Sequence, residues 1–75
     1  MRMYGYQKEC EQLEELKEVA FECNIEELEN IINFLIVVKA EHERVAGKTE
    51  LCHSHYRDWD KKWTPNSPDF IIVTK

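Results

Sequence analysis

Apolar positions recur at a spacing of three and four along one long stretch of the chain: Ile25, Leu28, Ile31, Ile32, Leu35, Val38 and His42. That is the period of one face of an amphipathic helix, and it predicts a helix over 24–46. Asn24 suits the N-cap, and Glu27, three positions on, completes a capping box, with Cys23 and Leu28 at the staple positions. Gly47 is the expected stop. Acidic Glu26, Glu27 and Glu29 precede Lys39, His42 and Arg44, the polarity the helix dipole favours. Phe34, Ile36 and Val37 fall outside the arc, on the flanks and back of this helix, where one sheet does not reach.

Shorter patterns flank the helix. Met3, Tyr4 and Tyr6 suggest a strand within 1–8. Between 15 and 23, Val19, Phe21 and Cys23 alternate with small or charged residues, as in a half-buried strand. Cys10, Leu13, Leu16, Ala20 and Phe21 also fit a helix over 7–21, and the pattern alone leaves both readings open. After the break at Gly47 and Lys48, residues 49–57 alternate at strand length. Residues 59–67 are loop-like, with Pro65, Asn66 and then Pro68, and Phe70 to Val73 form a β-rich run that predicts a strand over 69–74.

Length changes the picture in one way: 75 residues make a single domain, 1–75, with a small core, because so short a chain buries only about 60% of its unfolded surface. The formal net charge of −5 argues against nucleic acid, which needs clustered Lys and Arg, and favours a basic protein partner. Three cysteines without a CxxC pair do not make a disulfide framework. The longest apolar run, Phe34 to Val38, is too short for a bilayer, and the first residues lack a signal-peptide pattern, so a reduced, cytoplasmic protein is expected.

Leu16 to Phe21, Glu26-Glu27-Leu28, His53 to Trp59 with Trp63, and Ser67 to Val73, in that order, resemble a group of small bacterial proteins, some classed with the immunity proteins of polymorphic toxin systems. The resemblance spans nearly the whole chain. It implies two strands before the helix and two after, which decides 15–23 in favour of strand, and it carries no catalytic site to any position. The expected fold is therefore α+β: a ββαββ order in which one four-stranded sheet carries the helix on one face. Val19, Phe21, Leu28, Ile31, Ile32, Leu35 and Val38, with part of the Phe70 to Val73 run, are the expected core.

His53 and His55 are the sharpest chemical candidates, since residues two apart share a strand face, while Cys52, Ser54 and Tyr56 take the other. Two imidazoles fall short of the three or four ligands of a zinc site, so no metal and no cofactor are expected. Cys52 and His53 diverge on a strand, which does not favour a thiol nucleophile. Tyr56, Arg57, Trp59 and Trp63 belong to the residue types enriched in binding hot spots, and with His53, His55 and Asp58 they form the candidate partner surface. Glu9, Glu11, Glu14, Glu15 and Glu18 would steer a basic partner, such as a nuclease toxin. A non-enzymatic protein-binding module of the immunity type follows. The alternatives are a small homodimeric interaction protein, self-associating through Phe34, Ile36 and Val37, and a His-pair metal enzyme or thiol enzyme.

Overall fold

Asn24 begins the main helix as its sequence requires. In a computed structural model describing residues 1–75, the Asn24 side-chain oxygen accepts the Glu27 N–H at 2.7 Å, and the Glu27 carboxylate accepts the Asn24 N–H at 3.1 Å. Helix α1 then runs from Ile25 to Val45. Ala46 is its C-cap, and Gly47 turns the chain away at a φ of +80°, a conformation that glycine adopts without the Cβ penalty.

Four short strands surround α1, two before it and two after, but they do not join. Strands β1 (Met3–Gly5) and β2 (Glu14–Leu16) form one antiparallel ribbon. Strands β3 (Cys52–His55) and β4 (Ile71–Thr74) form another. The expected single four-stranded sheet is thus corrected to two two-stranded sheets in a small α+β fold.

The alternating stretch expected to pair through Cys23 shortens to three residues for a geometric reason. Its register sets Leu16 opposite Met3, so β1 offers no partner to Val19, Phe21 or Cys23. Likewise the strand expected over 49–57 stops at His55, and Tyr56–Trp59 turn into a short helix, α2. Tyr56 therefore does not share a strand face with Cys52 and Ser54.

The core also departs from expectation. Phe34, Val38 and His42 are the three buried residues, whereas Leu28, Ile32, Leu35, Val19 and Phe21 are exposed and Ile31 is half-buried. Of the expected core only Val38 is fully enclosed. Phe34, assigned by its spacing to the helix flank, is the centre: its ring meets Tyr56 at 5.2 Å, Phe70 at 5.4 Å and Trp59 at 5.7 Å. Tyr56 stacks on Phe70 at 4.8 Å, and Phe21 reaches Phe70 at 5.2 Å. Three of these rings, Tyr56, Trp59 and Phe70, arrive from the C-terminal half of the chain, and each aromatic side chain brings a large apolar area to the core.

One buried polar residue ties the layers together. His42 projects from α1 between the strands of the second ribbon, with Nδ1 2.8 Å from Thr74 Oγ1 and Nε2 3.0 Å from Ser54 Oγ. A neutral imidazole offers one donor and one acceptor, and a hydroxyl rotates to meet either, so both ring nitrogens are satisfied.

Candidate functional site

The register of β3 and β4 pairs Cys52 with Thr74, His53 with Val73, Ser54 with Ile72 and His55 with Ile71. Ser54 and Thr74 bond His42 of α1, and alternation sets His53 and His55 together on one face of β3. Their rings stand 5.7 Å apart, edge to face, as the spacing of two predicts.

Where the strand ends at His55, the chain winds into α2. Asp58, which a continuing strand would have pointed away, joins His53 and His55 instead. With Trp59, Ser54 and the α1 residues Phe34, Val37, Val38 and Glu41, they line a cleft of about 300 Å³. This cleft gathers four of the seven partner-surface candidates: His53, His55, Asp58 and Trp59.

Asp69 holds the cleft's strand end in place. Its Oδ2 lies 2.8 Å from His55 Nδ1, and its Oδ1 accepts the Arg57 N–H at 2.9 Å. A carboxylate only accepts, so the proton of a neutral His55 sits on Nδ1 and Nε2 is left as the acceptor. Sequence reading passed over Asp69, Glu41 and Asn30. The signal for Asp69 lies in the β3–β4 register, which, carried two places past His55 and Ile71, sets Asp69 opposite Arg57.

The other candidates lie elsewhere. Tyr56 and Trp63 line a second, larger groove of about 830 Å³ with Phe21, Asn30, Asp60 and Phe70. Within it the Asn30 amide donates to Tyr56 Oη at 2.8 Å, and Trp63 Nε1 donates to the Pro68 carbonyl at 2.9 Å. Burial pushes the Tyr56 phenol above its ordinary pKa; the Asn30 hydrogen bond opposes this, while the Asp60 charge adds to it. Arg57 is exposed and lines neither cavity, standing 3.8 Å from Asp58 and 3.9 Å from Asp69. Cys10 and Cys23 are exposed and Cys52 is half-buried. No three His, Cys, Asp or Glu side chains converge as metal ligands would.

Chemically the first cleft offers two carboxylates at its rim, Glu41 and Asp58, over an apolar floor of Phe34, Val37, Val38 and Trp59. That combination fits a side chain with an apolar stem and a cationic head, such as lysine or arginine. No helix is long and apolar enough to cross a membrane. The chain matches no protein-family model, and no curated protein or solved structure matches it significantly.

Proposed function

We propose that this chain is a non-enzymatic protein-binding module that takes a basic partner protein, as the immunity-type proteins it resembles take a toxin. The observation that carries the reading is the cleft shared by His53, His55, Asp58 and Trp59, where Glu41 and Asp58 flank an apolar floor. Aromatic floor residues supply contact area, and carboxylates supply orientation and a faster encounter. The exposed Glu14 and Glu15 of β2 add to the chain's net negative charge, which favours encounter with a basic partner. Arg57 and Trp63 lie outside the cleft, Trp63 in the second groove.

Capture from an extract of the native cell tests this, with the tagged wild type beside a Glu41→Lys, Asp58→Lys variant. The wild type is expected to retain a basic protein that elutes with rising salt and rebinds when purified, and the variant is expected to lose it. A partner held equally by both proteins, or none held by the wild type, would remove the reading.

A further inference from the structure

The side of α1 turned away from Phe34 and Val38 is apolar too. Ile25, Leu28, Ile32, Leu35 and Ile36 are 79%, 43%, 49%, 40% and 62% exposed, and neither ribbon covers them. Scattered single exposures need no explanation, but five large aliphatic side chains along three turns of one helix form a continuous patch.

The whole molecule shows the same deficit. Its accessible surface is 7045 Å², where a compact folded chain of this mass exposes roughly 4,900 Å². Its radius of gyration is 13.5 Å, against about 11 Å for a compact domain of this length. The excess of roughly 2,000 Å² per chain falls within what each partner of an obligate dimer buries, about 1,000–2,500 Å².

The order of residues in the patch says what fits it. Ile25, Leu28, Ile32 and Leu35 follow the three-four-three alternation of a heptad seam, with isoleucine at both first positions and leucine at both fourth positions. That is the arrangement favouring two helices over three or four. Lys39 takes the next first position and is exposed beside Glu43, four residues on. A single lysine there ends the apolar seam and fixes its register. We propose that the patch is covered by a second copy of this chain, α1 packing on α1 across a two-fold axis. This face is distinct from the cleft, so the pairing stands independently of the partner proposed above.

Charge separates the two. Each copy carries a net −5, so added salt screens repulsion and tightens a self-pair, whereas it weakens the hold on a basic partner. Sedimentation of the wild type at micromolar concentration is expected to show a two-chain species that strengthens with salt, with a melting temperature that rises with protein concentration. Ile32→Glu with Leu35→Glu should give single chains at the same concentration. Ile71→Glu, at an exposed position on β4, should leave the pair intact. If the seam variant fails to fold, the concentration dependence of wild-type melting still decides. A single-chain wild type with concentration-independent melting overturns the pairing. So does dissociation by Ile71→Glu but not by the seam variant.

Discussion

Phe34 meets Tyr56 edge to face, with ring centroids 5.2 Å apart and planes at 81°. This contact joins the middle of α1 to the start of α2 and anchors the most buried side chain of the chain. Truncating it by Phe34→Ala is expected to cost about 3–5 kcal/mol. That is comparable to the whole stability of a small domain, so the variant should be largely unfolded at room temperature. Phe34→Leu, which keeps much of the volume, should remain folded in a urea titration. A Phe34→Ala protein that melts near the wild type would mean that the aromatic cluster is not the core.

His42 joins α1 to both strands of the second ribbon through Ser54 and Thr74. His42→Leu keeps the bulk and removes both hydrogen bonds, which should cost about 1–3 kcal/mol. A double-mutant cycle with Ser54→Ala should recover a coupling of about 1 kcal/mol. Strictly additive losses would show that the Ser54 contact contributes nothing.

The capping box of Asn24 and Glu27 lies on the surface, so its loss leaves the core packing untouched. Asn24→Ala is expected to lower stability by about 1 kcal/mol. At the other end, Gly47→Ala should cost about 1 kcal/mol through its positive φ alone, since no neighbouring atom lies within 4 Å of an added Cβ. Chemical denaturation measures both, and a loss below the error of the method at either position would contradict the local account.

Tyr56 ionises above the ordinary tyrosine range because burial disfavours its phenolate. Below the unfolded pKa of about 10 its contribution to stability is complete, and it is lost as the pH rises from there towards the folded value, because the native state keeps the proton longer. Tyr4 and Tyr6 are exposed. Ultraviolet titration of phenolate should therefore show a step above the ordinary tyrosine range, and Tyr56→Phe should remove it. A titration that Tyr56→Phe leaves without any lost high-pH step would refute the burial effect.

Much of the local structure was legible in the residues themselves. The bounds of α1 follow from Asn24, Glu27 and Gly47, whose effects act within one helical turn. The shared face of His53 and His55 follows from strand alternation, and β4 from its β-branched run. These are properties that a few neighbouring residues determine.

Which arc of α1 faces inward was not legible, because residues 31–38 are apolar on almost every side apart from Asn33. A period shows that a helix has an apolar stripe; it does not choose between two. Tertiary packing made that choice when Tyr56, Trp59 and Phe70 converged on Phe34, more than twenty residues away in sequence. The division into two ribbons, the turn of α2 that brings Asp58 to the histidines, and the hold of Asp69 on His55 likewise depend on groups meeting across long loops. Hydrophobic burial has no direction of its own, so the distribution of apolar side chains along the sequence set the elements, and only their meeting in space determined which faces closed and which stayed open.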